Sequence, residues 1–91
     1  HPGEIVKDEL EARGISQRKF AMIIDCSYTV FNEILNCKRP MTTDYALRIG
    51  LFGIKAYMLV NMQSEYNLQT ARQDSHLSTI LSKIRSAAAM L

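Results

Sequence analysis

Apolar residues recur at intervals of three and four along nearly the whole chain, and no stretch alternates with the period of two that a strand requires. The pattern predicts helices throughout. Pro2 suits the first turn of a helix, where its missing N–H has no intrahelical partner, and Gly14 suits the left-handed residue that closes one, so a first helix is expected from Pro2 to Arg13. Ser16 and Ser27 each precede a helical run and can accept an unpaired first-turn N–H, which predicts a second helix to Ile24 and a third from Tyr28 to Asn36. Pro40 ends the third. Thr42 can cap a fourth helix to Phe52, with Asp44 in the first turn where the dipole favours negative charge, and Gly53 breaks it. A longer fifth helix is expected from Lys55 to Arg72. Asp74 or Ser75 can cap a sixth, whose Leu77, Ile80, Leu81, Ile84, Ala87, Ala88 and Leu91 recur at three and four. The predicted fold is all-α, with a helix-turn-helix domain of about five helices at residues 1–73 and a C-terminal amphipathic helix at residues 74–91.

The stretch from Gln17 to Asn36 fits two helices joined by a tight turn. Phe20, Ile24, Cys26, Phe31 and Ile34 are apolar at the positions that face one another across a helix-turn-helix, and Ala21 is small where the helices must cross closely. With the first of these helices set against phosphates, the second projects Ser27, Tyr28, Thr29, Asn32 and Glu33 from its N-terminal half, the part that enters a major groove. Asn32 can bond adenine bidentately, Thr29 can bond a base edge or touch a thymine methyl, and Tyr28 can reach base or backbone. These three are the expected base readers. Gln17, Arg18, Ser27, Lys38 and Arg39 are placed to hold phosphates, which position a protein without reading sequence. The bland alternative is an all-helical interaction domain in which the apolar set is core and the outward set a solvated face.

Charge changes this picture only through its placement. The 91 residues carry 11 Lys+Arg against 9 Asp+Glu, a net charge of +2 that announces no nucleic-acid partner by itself. Residues 16–39, however, hold Arg18, Lys19, Lys38 and Arg39 against Asp25 and Glu33, whereas residues 1–15 hold Lys7 and Arg13 against Glu4, Asp8, Glu9 and Glu11. The basic side coincides with the helix-turn-helix. Cys26 and Cys37 form no Cys-x-x-Cys pair and have no histidine at ligand spacing, which predicts neither a disulfide framework nor a metal site and fits a reducing, cytoplasmic setting. No apolar run approaches the ~20 residues of a membrane span. His76 lacks a partner at triad or ligand spacing, and Gly-rich phosphate loops are absent, so neither an enzyme nor a cofactor is expected.

Three blocks carry a resemblance to a known family: His1-Pro2-Gly3-Glu4, Glu9-Leu10-Glu11-Ala12-Arg13-Gly14-Ile15-Ser16-Gln17, and Asn32-Glu33-Ile34-Leu35-Asn36-Cys37-Lys38-Arg39-Pro40. With Val60-Asn61-Met62-Gln63-Ser64-Glu65-Tyr66-Asn67, they resemble the HigA-type addiction-module antitoxins, a branch of the lambda-repressor/Cro-like helix-turn-helix proteins. The resemblance implies a homodimeric, all-helical repressor that binds a palindromic operator of its own operon and neutralises an RNA-cleaving toxin of the HigB/RelE type. Two positions depart from the family pattern. Asp25 replaces the usual Gly of the turn, and Cys37 replaces the usual Gly after the recognition helix, where either a strained residue or a different helix end is expected. Val30 and Phe31 also make the outer face more apolar than a DNA-reading surface requires. The corresponding alternative is a toxin-neutralising interaction module without retained operator binding.

Glu4, Asp8 and Glu11 form an acidic stripe that either docks a basic toxin or is a solvated face. The sixth helix leaves two readings open as well. Its stripe either packs back on its own domain, or Leu77, Ile80, Ile84 and Leu91 approximate a heptad seam for a two-fold interface, with helices 5 and 6 together as the dimer surface.

Overall fold

The computed structural model describes residues 1–91 as six helices: α1 (Pro2–Ala12), α2 (Gln17–Ile23), α3 (Tyr28–Leu35), α4 (Thr43–Gly50), α5 (Ala56–Arg72) and α6 (Ser75–Ala88). The N-termini of α2, α3, α4 and α6 follow the side-chain chemistry, while α5 starts at Lys55 with no side-chain cap. Ser16 Oγ accepts from Lys19 N at 3.1 Å, Ser27 Oγ from Val30 N at 3.2 Å, Thr42 Oγ1 from Tyr45 N at 3.3 Å and Asp74 Oδ1 from Leu77 N at 2.7 Å. Each such cap stabilises its helix by ~1 kcal/mol.

The C-termini of α1, α2 and α3 share one device. In each, the residue after the C-cap is left-handed: Gly14 at φ 66°, Asp25 at φ 56° and Cys37 at φ 62°. The next N–H then reaches back to a carbonyl of the last full turn, Ile15 to Leu10 at 3.0 Å, Cys26 to Ala21 at 2.9 Å and Lys38 to Glu33 at 2.8 Å. The left-handed residues themselves donate to Glu11, Met22 and Ile34. These paired bonds are the Schellman closure, which satisfies carbonyls the helix leaves unpaired and reverses the chain in two residues.

Reversals this tight bring the apolar faces together. Val6 and Leu10 of α1, Phe20 and Ala21 of α2, Phe31, Ile34 and Leu35 of α3, Ala46 and Ile49 of α4 and Leu59 of α5 are all buried in one core. Helix α1 packs on α3 and α5, α2 on α3, and α4 on α5. The Phe20 ring sits between those of Phe31 at 5.5 Å and Phe52 at 4.8 Å. Two expectations are corrected by this packing. The fourth helix stops at Gly50, because Leu51 to Gly53 tighten into turns that swing Phe52 onto Phe20. Phe31 belongs wholly to the core and Val30 is half-buried against it, so neither makes the outer face of α3 apolar.

Gly3 sets the closest approach between helices. A Cβ there would overlap the Ile34 carbonyl oxygen, so the start of α1 lies directly on the end of α3. Elsewhere the core ends early. Gln63 is the last buried residue; its Oε1 accepts from Met41 N at 2.8 Å and its Nε2 donates to Asn67 at 2.9 Å. Beyond it α5 runs into solvent, and α6 buries no residue and packs on α5 at the turn between them. The radius of gyration is 17.3 Å, against about 12 Å for a compact domain of this length. The reading in which α6 packs back on its own domain is therefore not the one the chain adopts.

Gly3→Ala tests the crossing. In an open helix this change is stabilising, but here the overlap with α3 should destabilise the fold by about 1–3 kcal/mol, as overpacking does. Urea unfolding checks it, and an unchanged midpoint would mean that α1 is free to shift.

Candidate nucleic-acid interface

Helices α2 and α3 meet across the Asp25 turn with Phe20, Ala21 and Ile24 packed against Phe31 and Ile34, leaving one face of α3 to solvent. That turn is secured from a distance. Arg48 on α4 donates through Nη1 to the carbonyl oxygens of Asp25 at 2.7 Å and Ile24 at 3.2 Å, while its Nε pairs with Asp44 at 2.6 Å. The guanidinium thus supplies donors to carbonyls at the end of α2, where the negative end of the helix dipole also attracts it. With Arg48 in place and Asp25 left-handed, the helix-turn-helix geometry survives the loss of glycine.

The side chains on the exposed face of α3 are arranged in buttressed pairs. The Arg18 guanidinium lies 4.0 Å from the Tyr28 ring centroid, a stack that orients the ring and keeps a cation beside it. Asn32 Nδ2 donates to Gln17 Oε1 at 3.3 Å, which ties the amide to the first residue of α2. A carboxamide has two N–H groups and an acceptor oxygen, so Asn32 keeps one N–H and its oxygen for a base edge while the other N–H holds Gln17. Thr29 is exposed. Ser27 spends a lone pair on the cap of α3 and keeps its hydroxyl proton free to donate.

Past the end of α3, the two basic neighbours differ. Lys38 is exposed, whereas Arg39 contacts Glu33 Oε2 through Nε at 3.0 Å and Nη2 at 2.9 Å. Both members are partly exposed, so the pair contributes at most about 1 kcal/mol to stability. Its electrostatic consequence is larger, because one cation on this face is offset by an acid of the same face. Of the residues expected to hold phosphates, Gln17, Arg18, Ser27, Lys38 and Arg39 all border α3, and Arg39 alone is ion-paired.

Glu33 and Arg48 are the side chains around this face whose contacts the sequence left without a role. Arg48 acts 23 residues from its partner, and no local signal reports that. Arg39 lies six residues beyond Glu33, a separation that does not juxtapose residues on a helix, and the left-handed Cys37 turns the chain back to close it. The two thiols play a quieter part. Burial pushes the Cys26 thiol up, and burial with the Glu4 carboxylate, 3.6 Å from the sulfur, pushes Cys37 up too, so both stay protonated. The dimer candidates are set apart from this face: Leu77 is half-buried near the α5–α6 turn and Ile80 and Ile84 are exposed along α6, whereas Leu91, expected on the sixth helix, lies exposed beyond its end at Ala88. No group of His, Cys, Asp or Glu is arranged to hold a metal ion, and no helix is long and apolar enough to cross a membrane.

The chain matches no protein-family model. It is 39% identical over 83 residues to virulence-associated protein I of Dichelobacter nodosus, covering 89% of this chain and 77% of that protein. Among solved structures it is similar to the Pseudomonas aeruginosa antitoxin HigA with the higBA promoter, at 39% identity and a TM-score of 0.74, covering 79% of this chain and 80% of that one. An addiction-module antidote protein of the HigA family from Coxiella burnetii is 32% identical with a TM-score of 0.74, over 84% of this chain and 85% of that one.

The two non-glycine closures yield a stability prediction. A left-handed L-residue costs ~1–2 kcal/mol, while glycine adds ~0.5–1 kcal/mol of unfolded-state entropy, so Cys37→Gly should stabilise by roughly 0.5–1 kcal/mol. Asp25→Gly should gain less, since Asp tolerates this geometry better. Thermal melts of both variants check the order, and a destabilised Cys37→Gly would show that the thiol's contacts outweigh the strain.

Proposed function

The chain belongs to the HigA family of addiction-module antitoxins, and from that premise we propose that it is a DNA-binding repressor of its own operon and the antitoxin of a HigB/RelE-type toxin, acting by binding and not by chemistry. Residues 1–73 are the DNA-binding unit and residues 74–91 the dimerisation element, in a cytoplasmic homodimer on a palindromic operator. The observation that carries this reading is the buttressed face of α3: Tyr28 under Arg18, Asn32 tied to Gln17, and Thr29 open between them.

Preorganisation is what this face supplies. A base-reading side chain that wanders in the free protein must be ordered on binding, at ~0.5–1.5 kcal/mol for each rotamer-rich group. Here the Tyr28 ring and the Asn32 amide are already held, by partners that themselves lie at the phosphate flank. Asn32 presents one N–H and its oxygen to adenine, and Thr29 presents a hydroxyl and a methyl. Lys38, Arg18, Gln17 and Ser27 grip phosphates, whereas Arg39 must exchange Glu33 for a phosphate. Glu33 stands where it repels any backbone that approaches out of register and can accept from a cytosine N4 group when the register is right. Two such faces set by a two-fold axis reach successive major grooves ~34 Å apart. The dimer contacts proposed for this are Leu77, Ile80, Ile84 and Leu91.

Binding titrations of the promoter upstream of the gene against random duplex, at several salt concentrations, test the reading. Equal affinity for both would leave a toxin-neutralising module without operator binding. Asn32→Ala should weaken operator binding by ~1–3 kcal/mol and erode discrimination, whereas Lys38→Ala should weaken both duplexes alike and flatten the salt slope by ~0.9. Glu33→Gln should do the opposite of Lys38→Ala. By releasing Arg39 it should raise affinity for random duplex and steepen the slope by ~0.9, with poorer discrimination. A slope unchanged in Glu33→Gln would mean that Arg39 already holds phosphate in the wild type.

A further inference from the structure

Helix α6 is amphipathic, yet beyond Leu77 at the α5–α6 turn its apolar face is exposed. Written as heptads from Leu77, positions a and d within α6 are Leu77, Ile80, Ile84 and Ala87, and both e positions are apolar as well, Leu81 and Ala88; Leu91, the next a position, lies past the helix end. A two-stranded coiled coil uses a narrow a/d seam and places charge at e and g. A stripe widened to a, d and e is that of a helix lying in a groove of a packed domain. Charge points the same way. After the capping Asp74, α6 carries His76, Lys83 and Arg85 and no acid, so two α6 helices set side by side would present only like charges to each other.

The chain has a groove of matching character. Along the exposed side of α5, Tyr57, Met58, Met62 and Tyr66 line a hollow of about 370 Å³, and Ile5 of α1 extends it past Tyr57 and Met58 into a second of about 380 Å³. Tyr57 is 65% exposed and Ile5 40%, an apolar strip with no cover. Its acid is Glu65, which has no ion-pair partner; Glu9, at the far end, is already paired with Arg13, and Lys55 flanks that end. From Tyr57 to Gln69 the groove runs about 18 Å at the helical rise, and the α6 stripe from Leu77 to Ala88 runs about 17 Å. The helix cannot reach its own groove, because the outer half of α5 carries it away from the domain, to an overall length of 57 Å.

We infer that α6 docks its apolar face into the α5–α1 groove of a second copy of this chain, reciprocally, so that each subunit lends its terminal helix to the other. Lys83 and Arg85 flank the stripe on opposite edges, so one of them approaches Glu65 of the other copy instead of another basic helix. The exchange rests on the homodimer reading given above and specifies which surfaces form it. Met58, Tyr57 and Tyr66 join Leu77, Ile80, Ile84 and Leu91 in one interface. Two-fold symmetry forms the contact twice.

Disulfide trapping tests the pairing. In a Cys26→Ser, Cys37→Gly background, one chain carries Met58→Cys and another Ile84→Cys. Under mild oxidation, the mixed chains should give a covalent dimer that neither chain gives alone. An Ile84→Cys chain that cross-links to itself would establish an α6–α6 seam and overturn the exchange while leaving the dimer intact. Sedimentation of the unsubstituted chain separates the two levels: a monomer in solution and on operator DNA would remove the dimer reading itself. A dimer that sediments normally but gives no mixed cross-link overturns the exchange alone. If α6 becomes protected from proteolysis only when toxin is added, the toxin and not a second copy is its occupant, and the inference falls.

Discussion

Three consecutive helices reverse direction through one backbone device, a left-handed residue that lets the next N–H bond back into the helix it has left, and the placement of every side chain on α3 depends on it. The closure at Gly14 returns the chain so that Ser16 caps α2; the closure at Asp25 delivers Ser27 to cap α3; the closure at Cys37 returns Lys38 and Arg39 to the flank of the helix just completed. A reversal of two residues fixes the angle between successive helices far more tightly than a flexible loop would. Phe20 and Phe31 can then meet as a pair because the turn between them permits few other arrangements. Glycine accepts this geometry without a steric penalty, and two of the three positions lack it. What compensates differs. Asp25 tolerates the left-handed region and has Arg48 bonded to its carbonyl oxygen, whereas Cys37 carries the strain with only a sulfur contact to Glu4.

The same coupling links the exposed face to the rest of the domain. Arg48 reaches the α2–α3 turn from α4, Gln63 reaches the segment after α3 from α5, and Gly3 lets α1 lie against the end of α3. Each is a contact from a different helix onto the frame of one helix. A recognition surface requires positions held to a fraction of an ångström, and a helix of eight residues cannot supply that from its own hydrogen bonds. Rigidity is imported from outside. That the outer face of α3 is also internally tied, Asn32 to Gln17 and Tyr28 to Arg18, extends the same economy of motion to the side chains themselves.

Much of this was legible in the residues. Ser16, Ser27, Thr42 and Asp74 cap the helices that their hydroxyls and carboxylate announce, because capping is a local event between residues three apart. The helix-turn-helix core was legible for the same reason, since 3.6-residue periodicity reports which side of a helix is buried. Contacts that depend on chain reversal were not. Glu33 and Arg39 are not neighbours on any regular element, Arg48 and Asp25 are far apart in sequence, and Gly3 in a helix gives no sign that another backbone lies against it. The stripe of α6 was visible as well, but amphipathicity states that a face is to be covered and is silent on what covers it.

The placement of charge bears on what the proposed second subunit would contribute. Of the basic residues, Arg13, Arg39 and Arg48 are paired with Glu9, Glu33 and Asp44. Around α3 this leaves Arg18, Lys19 and Lys38 as cations without a carboxylate partner. Non-specific affinity grows with the number of phosphates neutralised, so a single face of this kind has little hold on arbitrary DNA and must obtain its affinity from base contacts made in register. Joining two faces raises the local concentration of the second at its half-site without adding a cation to either. Under the proposed dimer, keeping each face electrostatically sparse favours the operator over the bulk of the genome, and the proposed exchange places the burden of affinity on the terminal helix.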